Sequence, residues 1–152
     1  MQVARGIPAL LAVVAASGCA VGSSASPADD ARALSEPVAQ ATSAVQTATI
    51  AVGLLDDDRL TAPVTDTALV DQIHVLEEAA DAVSTLVPAD PDGAGWQEDA
   101  LAAVRDAQAA VVSARGWVNK AGGSAAGVRA ALDASADQLD ALTTTLDEAG
   151  AS

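Results

Sequence analysis

The sequence predicts an all-α protein, an up-down-up-down antiparallel four-helix bundle that follows a signal peptide and a flexible tether. Three observations favour this fold. Alanine, the strongest helix former, makes up about a quarter of the 152 residues. Apolar residues recur at alternating steps of four and three along four segments, which is the spacing of one helix face. No segment has the sustained apolar-polar alternation that is typical of a strand.

Residues 1–18 have the order of a secretory signal peptide. Arg5 precedes an apolar run from Ile7 to Ala16, and small residues follow the run. The run has about half of the roughly 20 residues that a transmembrane helix requires, so we expect no lasting membrane span there.

The segment Ala16-Ser17-Gly18-Cys19 resembles the lipobox of bacterial lipoproteins. In that family the cysteine thiol is linked to a diacylglyceryl group, and cleavage makes the cysteine the first residue of the mature chain. The resemblance implies that Cys19 is lipidated with fatty acyl chains such as palmitate, and that the protein is anchored in the cell membrane on its extracytoplasmic face. Ala16 departs from the large aliphatic residue of the family. The alternatives are secretion without lipid and a buried free thiol.

The order of segments predicts three parts. Residues 1–18 are the signal peptide, residues 19–34 are the lipidated cysteine with a flexible linker rich in small residues, and residues 35–150 are the bundle. The predicted helices cover residues 35–56, 64–87, 96–118 and 125–149.

The start of the first helix depends on two prolines. The ring of Pro37 would clash with the carbonyl four residues earlier inside a helix, which places the start near Ser35. Ser26, followed by Pro27, could instead cap a separate short helix within the linker.

Each predicted helix presents one apolar stripe, and the residue sizes differ between helices. The first and third stripes combine valine with alanine, whereas the second and fourth are mostly leucine, isoleucine and valine. Small faces let helices approach and large ones fill the remaining space; chance in an alanine-rich chain is the alternative. The stripes are Leu34, Val38, Ala41, Val45, Ala48, Val52 and Leu55; Leu69, Ile73, Leu76, Ala80, Val83 and Val87; Ala100, Val104, Ala107, Val111, Ala114 and Val118; and Val128, Leu132, Ser135, Leu139, Leu142, Leu146 and Ala149.

The connections between these segments are short, at residues 56–63, 88–95 and 119–124. Connections of this length join antiparallel neighbours. They therefore predict the up-down-up-down topology.

The chain is strongly acidic, with a formal net charge of −14. Nucleic acid and anionic lipid surfaces repel such a polyanion, so we expect no nucleic-acid partner and a membrane attachment through the lipid alone. Where charge attracts, the expected partner is a basic envelope protein. A coat of charge that keeps the protein soluble is the alternative explanation.

The second helix carries Asp71, His74, Glu78 and Asp81 on one face, away from its apolar stripe. We expect Asp71, Glu78 and Asp81 to form the docking face for the basic partner, with residues 56–58, three consecutive aspartates, as the second candidate. The spacing around His74 superficially resembles the Glu-x-x-His of di-iron bundles. Such a site needs a second histidine, and the chain has one, so we expect a solvated face.

The segment from Asp90 to Asp99 distantly resembles a short calcium loop. Asp90, Asp92 and Asp99 would supply carboxylates, but Ala94 stands at the third ligand position and has no side-chain oxygen. The favoured interpretation is a Pro-Asp-Gly turn before a helix, with calcium as the alternative. We expect neither a metal nor a cofactor.

Trp96 and Trp117 are 21 residues apart on the third predicted helix. This separation is about 31 Å in a helix and places them near opposite ends of the bundle. We expect both to plug the core, with contact to a partner as the alternative.

No nucleophile and base pair, G-x-S-x-G motif or phosphate-binding glycine loop is present, so we expect no enzyme activity. The expected function is a non-catalytic protein-interaction or structural module of the cell envelope. The alternative is a lipoprotein that binds a small ligand or a cation such as Ca²⁺. An alanine-rich core packs closely and leaves little room for a ligand, which favours the first.

Overall fold

A computed structural model describes residues 26–151, and these form four helices. They are α1 (Pro27–Asp56), α2 (Ala62–Thr85), α3 (Pro91–Val118) and α4 (Ala125–Gly150). No strand occurs within this range, so the predicted all-α class is confirmed. The predictions for the signal peptide and for Cys19 lie outside the described residues.

One end of the bundle, here named the Ser26 end, contains the start of α1, the α2–α3 connection and the end of α4. The Arg32 Nη2 atom donates a hydrogen bond of 2.7 Å to the carbonyl of Gly150, which joins α1 to α4. The Asp30 carboxylate accepts a hydrogen bond of 2.7 Å from the N–H of Ala89, which joins α1 to the α2–α3 connection. The start of α1 therefore lies beside the ends of α2 and α4.

The opposite end, here named the Asp58 end, contains the α1–α2 and α3–α4 connections. Arg129, near the start of α4, forms an ion pair of 2.9 Å with Asp56, the last residue of α1. Arg115, near the end of α3, forms an ion pair of 2.8 Å with Asp66, near the start of α2. Sequential helices therefore alternate in direction, and the up-down-up-down topology is confirmed.

The bundle is narrowest where α1 and α3 contact each other across its centre, with Cα atoms within 8 Å. Each of these helices also contacts both α2 and α4, whereas α2 and α4 do not contact each other within residues 26–151. The cross-section is therefore a flattened diamond. Its short diagonal joins α1 to α3, and α2 and α4 lie at its outer corners.

Small side chains permit the approach of α1 to α3. Helices that meet through alanine reach the short end of the usual 8–10 Å range of interaxial distances. The outer helices supply the leucines that fill the space on either side. The buried alanines are Ala31, Ala41, Ala44, Ala48 and Ala51 on α1 and Ala100, Ala103, Ala107, Ala110 and Ala114 on α3, and the buried leucines of the outer helices are Leu69, Leu76, Leu132, Leu139, Leu142 and Leu146.

α1 begins at Pro27, earlier than the predicted start near Ser35. Ser26 is its N-cap, because the Ser26 Oγ atom accepts a hydrogen bond from the Asp29 N–H while the Asp29 carboxylate accepts one of 3.1 Å from the Ser26 N–H. This capping box satisfies two backbone donors that a helix start leaves free. The predicted linker is therefore wrong for residues 27–34, which are helical.

α1 continues through Pro37, which was expected to lie at its start. An interior proline costs an isolated helix about 3 kcal/mol, because its ring displaces a backbone hydrogen bond. Here Pro37 is itself buried, and the turns before it bury Ala31 and Leu34 completely. Burial of one leucine side chain contributes about 1.5–3 kcal/mol, so the packing of these turns offsets the proline.

By length and composition, α1 is also the one helix of the described chain that could cross a membrane. Within the bundle it contacts α2, α3 and α4. Leu34, Val38, Val45 and Val52 are buried by these contacts, whereas Ile50 is 62% exposed. The high hydropathy of α1 is therefore that of a central core helix.

The α2–α3 connection is shorter than predicted. α2 ends at Thr85 rather than at Val87, because Pro88 disfavours the helical conformation of the residue before it. Val87, the last residue of the predicted stripe, is 85% exposed. α3 begins at Pro91 with Asp90 as its N-cap, so the expected Pro-Asp-Gly turn is instead the first turn of the helix.

Smaller differences follow from helix periodicity. α2 buries Ala79 completely, whereas the predicted stripe residues Ala80 and Ile73 are half-buried. A helix has 3.6 residues per turn, so a strict heptad spacing drifts along its surface. α2 begins at Ala62 and α4 ends at Gly150, each within two residues of the predicted bounds.

The buried Asp30 lies against the first turn of α3. Gly93 is buried there, and its N–H donates a hydrogen bond of 2.8 Å to the Asp90 carboxylate. A Cβ atom at position 93 would overlap the Asp30 carboxylate. The close approach of α1 to the start of α3 therefore requires glycine at this position.

We predict that Gly93→Ala destabilises the bundle whereas Gly95→Ala stabilises it. In a helix free of other contacts, alanine is favoured over glycine by about 0.5–1 kcal/mol. A Cβ atom at position 95 meets no atom within 4 Å, whereas one at position 93 overlaps Asp30. Thermal melts followed by circular dichroism measure both effects. Gly93→Ala should cost less in an Asp30→Ala background, and a Gly93→Ala variant as stable as Gly95→Ala would contradict the close approach.

Candidate functional site

The outer face of α2 carries Asp71, His74, Glu78 and Asp81. All four side chains are exposed, as the apolar spacing predicted. They extend over about 15 Å of the helix axis, at steps of three and four residues that keep them on one side. Because α2 lies at an outer corner of the diamond, this face points away from the rest of the bundle.

The carboxylates Asp71, Glu78 and Asp81, here named the α2 acidic face, take no part in the ion pairs of the described range. The ion pairs of this range use other carboxylates, for example Arg32 with Asp29, Arg115 with Asp66, and Arg129 with Asp56. The negative charge of the α2 acidic face is therefore not neutralised by cations of residues 26–151, and it is available to a partner.

Asp66 lies on α2, five residues before Asp71. It belongs to a hydrogen-bond network that the sequence did not predict. Its Oδ1 atom accepts hydrogen bonds of 2.8 Å from Arg115 Nε and 2.6 Å from Asn119 Nδ2. The hydrogen bond from Arg115, followed by that from Asn119, lowers the pKa of Asp66 below its ordinary value of 3.8. Asp66 lies near the start of α2, whereas Arg115 and Asn119 lie at the end of α3, so no local spacing could indicate that Asp66 joins them.

The second docking candidate, residues 56–58, is partly committed to the fold. Asp56 pairs with Arg129, and Asp57 is the C-cap of α1. Asp58 adopts the left-handed conformation with a φ of 56°, in the turn that reverses the chain. The α2 acidic face is therefore the stronger candidate, because none of its carboxylates serves a turn or an ion pair among the described residues.

The structure does not assemble the calcium loop considered for Asp90, Asp92 and Asp99. Asp90 caps α3 by accepting a hydrogen bond from Gly93, and it is not part of a loop that encircles an ion. Asp92 and Asp99 both lie on α3, about 10 Å apart along its axis, whereas calcium ligands lie 2.3–2.6 Å from the ion. Across residues 26–151 no group of three or more His, Cys, Asp or Glu residues could hold a metal ion.

Trp96 and Trp117 lie at opposite ends of the bundle, and both are half-buried against its core. Trp96 lines a cavity of about 420 Å³ at the Ser26 end, together with Pro27, Ala28 and Ala149. Trp117 lines a cavity of about 350 Å³ at the Asp58 end. Each tryptophan therefore plugs the core with part of its ring and leaves an edge at the surface.

A larger groove of about 640 Å³ lies beside the α3–α4 connection. Glycine, alanine, serine and one valine line it, with no charged side chain. Ligand sites usually combine an apolar lining with a few convergent polar groups that fix the ligand. Its two serine hydroxyls are already engaged by the helix backbone, since Ser113 donates to the Ala109 carbonyl and Ser124 accepts from the Gly127 N–H. The groove therefore does not favour a small ligand.

Comparisons with protein-family models, with curated proteins and with solved structures give no match to this chain. Its function is therefore inferred from the residues and geometry described above.

We predict that Asp66→Asn lowers the melting temperature slightly at neutral pH and has no effect in strong acid. A lowered pKa means that the folded state favours the charged carboxylate, so this contribution is present above pH 3.8 and is lost as the pH falls through the lowered value. Melts of wild type and variant across an acid series should therefore begin to converge below pH 3.8 and coincide below the lowered pKa. Asp71→Asn makes the same charge change without an ion pair and is the control. A difference that persists in strong acid would contradict the network.

Proposed function

We propose that this chain is a lipid-anchored lipoprotein of the extracytoplasmic membrane face, and that its bundle is a non-catalytic module that docks a basic surface on a neighbouring envelope protein. The resemblance of the segment 16–19 to a lipobox supports the anchor at Cys19. The exposed and unneutralised α2 acidic face is the observation that carries the docking.

Charge supports a protein partner over the other surfaces of a cell envelope. With a net charge of −14, the chain is repelled by nucleic acid and by anionic lipids. A surface rich in lysine and arginine is attracted at long range, which raises the rate of encounter. Three carboxylates spread over about 15 Å of one helix match an extended basic surface better than a single bound cation.

The chemistry of the bundle supports a non-catalytic module. His74 is exposed on the same face as the three carboxylates and lies outside any enclosed cleft. The proposed lipid consumes the thiol of Cys19, which is the one cysteine of the sequence. The proposed role therefore depends on recognition and position and involves no bond-making step.

We predict that the Asp71→Asn, Glu78→Gln, Asp81→Asn triple variant weakens capture of the partner from a detergent extract of the native envelope. Capture by the wild type should fall as salt is raised, because exposed charges are screened within about 8 Å at physiological ionic strength. The triple variant should capture less at low salt and show a shallower salt dependence. Quantitative mass spectrometry of proteins bound to the immobilised bundle measures both.

The matched control is Asp133→Asn, Asp137→Asn, Asp140→Asn on the exposed side of α4. It removes the same charge from the other outer corner of the diamond. Equal losses for both triple variants would mean that net charge alone attracts the partner. Binding that is independent of salt and of the α2 acidic face would overturn the proposed docking.

We predict that Cys19→Ala moves the protein from the membrane fraction to the unanchored pool, or leaves it uncleaved. The reason is that alanine has no thiol to carry the diacylglyceryl group. Fractionation with metabolic labelling by a fatty acid measures the change. A variant that is processed and sediments with membranes as the wild type does would show that the anchor is not at Cys19.

A further inference from the structure

The Ser26 end of the bundle presents apolar side chains to its surroundings. Val87, in the α2–α3 connection, is 85% exposed, which is the largest exposure among the large hydrophobic residues of the described chain. Pro27 is exposed at the start of α1, and Trp96 borders the cavity of about 420 Å³ that Pro27 also lines. These side chains lie at the end of the bundle where the chain arrives from Cys19.

The chain between Cys19 and Ser26 is short. Seven residues, 19–25, span at most about 25 Å when fully extended. The 30 residues of α1 make the bundle about 45 Å long. A lipid on Cys19 therefore holds the Ser26 end within about 25 Å of the bilayer, whereas the Asp58 end can extend about 45 Å further. The early start of α1 at Pro27 produces this closeness, because a flexible linker up to residue 34 would reach about twice as far.

The charged side chains at the Ser26 end determine which lipid headgroups this end can contact. Asp29 is paired with Arg32, and Asp30 is buried against the N–H of Ala89. Asp92 and Asp147 are exposed. Exposed carboxylates are repelled by anionic headgroups, so the compatible surface has zwitterionic headgroups. Tryptophan is favoured at the boundary between the headgroups and the acyl chains, because its ring is apolar and its N–H can bond to the polar headgroup layer.

We propose that the Ser26 end docks on the zwitterionic lipid surface through Val87 and Trp96, so that the bundle stands on the membrane. This inference rests on the proposed anchor at Cys19. Standing in this way displays the Asp58 end outward and leaves the α2 acidic face free along the side of the bundle. Contact with lipid would give exposed Val87 and the edge of Trp96 an apolar environment that the bundle itself does not supply.

The two tryptophans allow a direct test, because they lie at opposite ends and the sequence has no other tryptophan and no tyrosine. A chain beginning at Cys19 retains the whole bundle, and its thiol can be coupled chemically to a maleimide lipid in phosphatidylcholine vesicles. Trp117→Phe leaves Trp96 as the sole reporter, and Trp96→Phe leaves Trp117. Vesicles with brominated acyl chains quench tryptophan fluorescence over short distances, and unbrominated vesicles supply the reference.

We expect brominated lipid to quench Trp96 severalfold and to leave Trp117 nearly unchanged, since about 31 Å of helix separates them. Val87→Asp should abolish the quenching of Trp96 without lowering the melting temperature, because the side chain is exposed in the bundle. Circular dichroism verifies that both tryptophan variants are folded.

Equal quenching of the two tryptophans, or none, would overturn the docking. Two results in vesicle-free protein would also overturn it. A shift of Trp96 emission on deletion of residues 20–25 would show that the tether covers Trp96. A shift of Trp96 emission with protein concentration would show that a second copy of the chain covers it. Chemical coupling supplies the anchor in this experiment, so a negative result refutes the docking and leaves lipidation in the cell untouched. Absence of lipid on Cys19 in the native protein would instead refute the anchor, whatever the vesicles show.

Discussion

The close approach of α1 to α3 is the constraint on which the rest of the bundle depends. Buried alanines on both helices bring them together across the centre, and this contact forces α2 and α4 to opposite corners. Helices at the corners have more surface to expose than helices at the centre. The α2 acidic face is therefore displayed at a corner because alanine, which has no functional group, occupies many of the buried positions of α1 and α3.

Much of the fold could be predicted from the sequence, because the heptad stripes of α1, α3 and α4 are patterns within single helices. Leu132 and Leu139, for example, lie in the buried stripe that their spacing predicted. The start of α1 could not be placed in this way. The low helix propensity of Pro37 predicted that α1 starts next to it. Burial of Leu34 against other helices instead stabilises a helix that begins at Pro27.

The carboxylates likewise fall into two groups, those whose exposure the sequence predicted and those whose burial it did not. The exposure of Asp71, Glu78 and Asp81 followed from their spacing against the stripe of α2. Burial of Asp30 did not follow from any spacing, because its partner is the N–H of Ala89, far along the chain, and its room comes from a glycine on α3. Contacts between distant segments decide which carboxylates belong to the fold and which remain for a partner.

The distances across the two diagonals of the bundle test this account most directly. In a Cys19→Ala background, spin labels at exposed positions Gln46 and Ala109 report on the α1–α3 diagonal, and labels at His74 and Asp137 report on the α2–α4 diagonal. Double electron–electron resonance should give a His74–Asp137 distance that is longer by about one helix diameter, roughly 10 Å. Equal distances, as a square bundle would give, or a shorter distance between α2 and α4, would contradict the account.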